Sequence, residues 1–209
     1  MGRLQGLTNY NMAKRTPSLA SPAPACLSML RSLLAGLVIA VACPAFADNI
    51  SDAQRMIRQG QLAQAMDKVD AWLSSNPKDA QGRFLKGIIL AEMNKPNEAI
   101  DVFTKLTEDY PELPEPYNNL AVLYAQQKQF EKARLALETS IKTHPSYAVA
   151  HENLGDIYAK MASQAYERAL QIDSSNAATQ NKLAVIRELI ANTSHGSGPQ
   201  VQKPKPKSP

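Results

Sequence analysis

Apolar residues between positions 50 and 191 recur three and four apart, the spacing that places them on one face of an α-helix. Tyr117, Leu120, Ala121 and Tyr124 form such a face, and Ala133, Leu137 and Ile141 form another on the next segment. The arrangement then returns with a period of 34 residues. Pro77, Pro111 and Pro145 keep that step, as do Ala65, Ala99 and Ala133. Gly87, Ala121 and Gly155 keep it too, and so do Val69, Phe103 and Leu137. Four positions sharing one period mark an internal repeat with two helices in each unit. The pattern predicts nine helices, near 51–59, 62–74, 79–93, 96–109, 114–127, 130–143, 148–160, 162–172 and 177–191.

The punctuation agrees with that division. Each proline of the 34-residue set stands just past a second helix, where its missing N–H and its restriction of the preceding residue stop further winding. Gly60 and Asn94 fall at the turns inside a pair, where these two residue types tolerate a left-handed backbone. Pro96 suits the first turn of the helix that follows. The small residue at 87, 121 and 155 is expected to let the partner helix approach closely. Each pair leaves one apolar face that only a neighbouring pair can bury, so the units are expected to stack.

The clearest copy, Tyr117-Asn-Asn-Leu120-Ala121-Val-Leu-Tyr124 followed by Ala133, Leu137 and Pro145, closely resembles the tetratricopeptide repeat. The resemblance covers about residues 50–191. It implies an all-α, right-handed α-solenoid of stacked helix-turn-helix units, about three and a half to four of them plus a C-terminal capping helix. The last helix repeats the start of the motif with Leu183-Ala184, and its Asn181, Lys182, Arg187 and Glu188 suit a solubilising cap.

The fourth unit departs from the period. Its second-helix alanine stands at 162 where the period asks for 167, so five residues of the inner turn are missing. No Gly, Pro or Asn lies between Tyr158 and Tyr166 to favour a reversal. The two segments therefore run on as one longer helix or join through a strained turn. Ser174 also replaces the expected proline.

Charge divides the chain differently from its total of +4. Residues 1–47 hold four basic residues and no acid, and residues 192–209 hold Lys203, Lys205 and Lys207 with none. Of the 23 basic residues, 16 then remain in 48–191 against all 19 acids, a balance of about −3. A nucleic-acid partner is not expected.

Arg31, the apolar run from Leu33 to Ala42, Pro44 and Ala45-Phe46-Ala47 make a secretory signal, with cleavage expected after Ala47. The apolar stretch is short of the ~20 residues that span a bilayer. Met29 is an alternative start for that signal. Ala40-Val41-Ala42-Cys43 loosely resembles a lipoprotein box, the alternative in which Cys43 is acylated and holds the chain to a membrane. With cleavage at 47 both cysteines, Cys26 and Cys43, are lost, and no thiol or disulfide remains. The domains expected are a signal peptide at 1–47, the repeat domain at 48–191, and a disordered Lys/Pro-rich tail at 192–209.

No catalytic residue is identified, and neither cofactor nor metal is expected. His144 precedes a helix-ending proline, His151 holds the aromatic position of the fourth unit, and His195 lies near the end. The resemblance implies instead a concave groove, lined by the first helix of each pair, that receives an extended peptide or a helix. Carried over by register, that groove includes Gln81, Phe84, Ile88 and Glu92, then Glu115, Asn118, Asn119, Val122 and Gln126, then Glu152, Asn153 and Asp156. Family members that bind extended peptides place an asparagine where Asn119 and Asn153 stand, because an amide both donates and accepts. The same residues can equally serve the stack itself. Phe84, Ile88 and Val122 among acidic neighbours suit a protein or peptide that is apolar with basic flanks, and disfavour an acidic C-terminus. A double change of Phe84 and Val122 to Asp is expected to abolish capture without unfolding the chain. The functional expectation is a periplasmic adaptor or assembly factor. The alternatives are an envelope component tethered to a membrane by acylated Cys43 or by an uncleaved signal, and an accessory subunit of a cell-wall or polysaccharide enzyme.

Overall fold

Eight α-helices occupy the residues that the computed structural model describes, 48–195. They are α1 (Asp48–Arg58), α2 (Leu62–Ser75), α3 (Ala80–Glu92), α4 (Pro96–Asp109), α5 (Pro114–Gln126), α6 (Phe130–Thr143), α7 (Ala148–Ile172) and α8 (Ala177–His195). Residues 1–47, expected to be a signal, and residues 196–209 of the tail lie outside the described residues. Five of the nine expected helices appear within about two residues of their expected ends. The first begins three residues early. The seventh and eighth are a single helix, α7, unbroken across 159–163. The ninth becomes α8 and runs to His195, four residues into the segment expected to be disordered.

Three turns explain the paired helices. Gly60, Asn94 and Lys128 have φ of 73°, 60° and 60°, and they stand 34 residues apart. At each, two N–H groups reach back to carbonyls of the helix just ended. Gly60 N–H bonds Ile57 O and Gln61 N–H bonds Met56 O; the later turns repeat this through Ala91 and Leu90, and through Ala125 and Tyr124. This closure satisfies carbonyls that the helix end leaves free and needs one left-handed residue. Glycine and asparagine were legible as turn residues, but Lys128 was not. Five residues of the inner turn are absent from the fourth unit, no such closure forms there, and the chain continues helically.

The core follows the same repeat. Ala53, Ala65, Val69, Leu85 and Ile89 join α1, α2 and α3. Phe84, Ile88, Phe103, Leu106, Leu120 and Leu123 join α3, α4 and α5. Ala121, Ala133, Leu137, Ala150 and Ile157 join α5, α6 and α7. Within the second unit a Cβ added to Gly87 would lie 2.6 Å from the Phe103 ring, so only glycine permits this approach. Phe84 meets the same ring edge-on, with centroids 5.6 Å apart. Gly155, in the same register, has nothing within 4 Å of such a Cβ. The close approach expected there is not made.

Polar ties hold the joins between units. The Asp79 carboxylate caps α3 by accepting from Gly82 N–H at 2.7 Å, and it accepts from Trp72 Nε1 on α2 at 3.0 Å. Tyr110, after α4, donates to the Lys78 carbonyl just before α3 and so ties the loops at two successive joins together.

Lys128 pays for a left-handed backbone that glycine adopts freely. Lys128→Gly is expected to raise the free energy of urea unfolding by about 0.5–1 kcal/mol. Gly60→Ala, at a turn where an added Cβ meets nothing, is expected to lower it by about 1 kcal/mol.

Candidate functional site

The residues expected to line a groove separate into two groups by burial. Phe84, Ile88 and Val122 are 2%, 6% and 1% exposed, and Asn118, Asn119 and Asn153 are 0%, 0% and 2%. Glu92, Gln126 and Glu152 are exposed, while Gln81, Glu115 and Asp156 are half-buried. The expected apolar centre is therefore absorbed into the core, because adjacent helices close over these positions. Changing Phe84 and Val122 to Asp would bury charges, and the expectation that such a variant stays folded is corrected on that ground. What remains on the face is acidic and amide.

Two of its carboxyls are perturbed. Burial raises Glu115 above its ordinary 4.5, although a backbone hydrogen bond and nearby His144 oppose the shift. Burial likewise raises Asp156, against the attraction of Lys160. Tyr147 is pushed up to about 12 by burial and by the charge of Glu115. Glu115 thus sits near the α6–α7 turn with His144 and Tyr147, while Asp156 sits with Lys160 on α7. The acidic face is interrupted by that lysine.

The asparagines have distinct fates. Asn153 Nδ2 donates to Asn118 Oδ1 at 2.8 Å, a buried bond between α7 and α5. One of the two amides expected to meet a peptide therefore fastens consecutive units. Within the third unit the enclosed Ser140 of α6 donates its hydroxyl to the Pro114 carbonyl of α5 at 2.8 Å. The Asn119 amide is enclosed, and neither its oxygen nor its nitrogen has a hydrogen-bond partner.

A second surface was not anticipated. Where α7 runs past the start of α6, an open cleft of about 560 Å³ is lined by Lys128, Phe130, Lys132, Met161 and Arg168, among others. It is basic where the groove face is acidic. The five-residue deficit in the fourth unit was its only sequence signal. His151, at the fourth unit's aromatic position, is exposed and pairs with the Pro145 carbonyl at 3.0 Å. Among the described residues, no group of three or more His, Cys, Asp or Glu side chains could hold a metal. No described helix is long and apolar enough to cross a membrane.

Residues 90–157, from the end of α3 into α7, match a family model described as Tetratricopeptide repeat. Over that stretch the chain is similar to tetratricopeptide repeats. An Arabidopsis thaliana relative, Tetratricopeptide repeat domain-containing protein PYG7, chloroplastic, is 29% identical over 87 residues, 39% of this chain and 29% of its own length. A Homo sapiens relative, Protein O-mannosyl-transferase TMTC3, is 27% identical over 129 residues, 59% of this chain. The chain spans 29% and 14% of the length of these two proteins. Among solved structures, the thermophilic tetratricopeptide protein TTC0263 from Thermus thermophilus aligns with a TM-score of 0.53 at 18% identity, over 72% of this chain and 86% of that one. The first tetratricopeptide domain of Spaghetti (RPAP3), bound to the HSP90 peptide SRMEEVD, aligns with a TM-score of 0.52 at 14% identity, over 56% of this chain and 93% of that one. These likenesses establish the fold.

Removing either partner of the buried amide pair strands the other. Asn118→Ala and Asn153→Ala are each expected to lose about 1–3 kcal/mol, and the double change less than their sum. Asn119→Leu removes an unpaired amide and is expected to gain about 1 kcal/mol.

The raised carboxyls favour the folded state only when protonated. That contribution is present below the ordinary values of 4.5 and 3.8, and is lost as pH rises through the raised ones. Glu115→Gln is therefore expected to raise the unfolding midpoint at pH 7. Its advantage should vanish below pH 4.5.

Proposed function

We propose that the chain is a non-enzymatic protein-interaction module, a periplasmic adaptor or assembly factor whose acidic face receives a peptide or helix carrying basic groups. The acidic face carries this reading. Glu92, Glu115, Glu152 and Asp156 occupy the register that faces the groove, and burial disfavours ionisation of two of them. A cationic group from a partner would pair with those carboxyls and relieve that cost. Because Phe84, Ile88 and Val122 are enclosed, the charged and amide side chains make the first contact. The HSP90 peptide held by the Spaghetti (RPAP3) domain ends in two glutamates, a valine and an aspartate. An acidic end of that kind would meet like charge here.

Export is supported by the charge and apolar pattern of residues 1–47, with cleavage after Ala47 releasing a chain that begins at Asp48. Acylated Cys43 gives the membrane-tethered alternative. Cell fractionation with N-terminal sequencing distinguishes them: soluble material starting at Asp48 supports the adaptor, and lipid-modified Cys43 in the membrane fraction removes it.

Binding is tested with two fluorescent amphipathic peptides that share an apolar centre and differ in lysine or glutamate flanks. The lysine-flanked peptide is expected to bind more tightly, and more weakly as salt rises. A triple variant, Glu115→Gln, Glu152→Gln and Asp156→Asn, is expected to lose about ten-fold in affinity, each rim charge supplying a fraction of a kcal/mol. Equal affinity for both peptides would remove this face from the function.

A further inference from the structure

The fourth unit carries both halves of an interface that it does not make. In the second unit Gly87 on the first helix receives Phe103 from the second, and Ala99, Phe103 and Leu106 are all 0% exposed. In the third, Ala121 and Leu137 are each 1% exposed, and Ala133 and Ser140 are 0%. The fourth unit keeps the same spacing in Ala162, Tyr166 and Ala169, yet Ala169 is exposed and the other two are half-buried. Its Gly155, the counterpart of Gly87, has nothing within 4 Å of an added Cβ, and Tyr158 one turn on is 48% exposed. The reason is α7 itself. Gly155 and Tyr166 lie 11 residues apart on one unbroken helix, about 16 Å along its axis. Seat and filler cannot meet within one chain.

We infer that two copies of this chain pair antiparallel through α7, Tyr166 of each seated on Gly155 of the other. Gly155 and Tyr166 are equally distant from the midpoint between Lys160 and Met161. A two-fold axis near Lys160 therefore makes both seats at once, as a closed, self-complementary interface must. The pairing rebuilds in trans the contact that the second and third units make in cis.

Two further observations select a second copy as the occupant. Val185 on α8 is 68% exposed, whereas Ile88 and Val122 at the same register are 6% and 1%. In the pair, α8 rides on the second half of its own α7, held there by Arg187 to Glu167 at 3.0 Å, and is carried beside the first half of the partner's α7. That places Val185 where Ile88 and Val122 sit in earlier units. Charge agrees with this placement. Residues 148–159 hold Glu152 and Asp156 with no Lys or Arg, while α8 holds Lys182 and Arg187 against Glu188. The dimer needs no refolding of the monomer, since α7 is already one continuous helix on which Gly155 and Tyr158 are exposed.

Light scattering on the full 209-residue chain is expected to give twice the 22.8 kDa of one chain, falling to one-fold for Gly155→Arg with unchanged helicity. Gly155 has a helical backbone and open space, so the substitution leaves the monomer intact. A single-chain mass for the wild type at its highest soluble concentration, or a dimer that Gly155→Arg leaves whole, overturns the inference. A second test changes Cys26 and Cys43 to Ser and introduces Gly155→Cys with Tyr166→Cys. Their separation forbids a disulfide within one chain, so oxidation is expected to yield a reducible, covalent dimer. A chain that stays monomeric after oxidation overturns the inference equally.

Discussion

Where the paired helices of the second unit cross, one offers no side chain at all and the other its largest. The Phe103 ring lies so close to Gly87 that a single added carbon would sit 2.6 Å from it. That contact sets how near the two helices come, and the distance decides which neighbours can share a core. Ala121 with Leu137 repeats it in the third unit at slightly larger seat and smaller filler, both 1% exposed. Volume is exchanged across the crossing while the packed density is kept, as close-packed interiors require. Stacking follows, because helices brought together at one spacing present the same apolar ridge to the next pair.

The turns make that crossing possible, and the contrast between units shows how local the control is. Three left-handed residues at a 34-residue step each reverse the chain, and the lysine among them shows that tertiary packing can impose the conformation against preference. Remove five residues from the fourth turn and the hydrogen bonds that would have closed it are made by continuing the helix. The sequence on both sides still encodes a packed pair. Local backbone geometry overrides that encoding, so the apolar pattern is present and its intramolecular contact is not.

Periodicity made the architecture readable from the chain alone, since four registers at one spacing leave little freedom in where helices and turns fall. The continuity of α7 was one of two readings, and chain length could not choose between them. Phe84, Ile88 and Val122 show what periodicity withholds. Register reports which way a side chain leaves its helix, but not whether a neighbouring helix closes over it. Val185 shares their register and is 68% exposed because no helix among the described residues closes over it. Asn153 was legible as an amide on a functional register, yet its partner proved to be Asn118 on the preceding unit. Partnership between units depends on rotamer and helix crossing, neither of which a repeat period contains.

The end of the stack is where these constraints meet. In an array whose units touch only their neighbours, stability passes from one join to the next and is weakest where a join is missing. The first half of α7 is fastened to the third unit by Ile157 in the shared core and by Asn153 bonded to Asn118. Beyond Met161 the helix passes the start of α6, and α8 supplies its packing through Leu183 and the Arg187–Glu167 pair. A 25-residue helix carries rigidity across that gap, because unwinding its middle would free backbone groups that no turn is present to satisfy. The second half of α7 thus carries small and aromatic residues, Ala162, Tyr166 and Ala169, that no second helix of its own unit covers. A stiff helix with an open glycine seat in its first half and the matching aromatic in its second is the geometry from which reciprocal pairing follows. The missing turn that leaves the fourth unit unpacked within one chain is also what holds its two halves far enough apart to meet another.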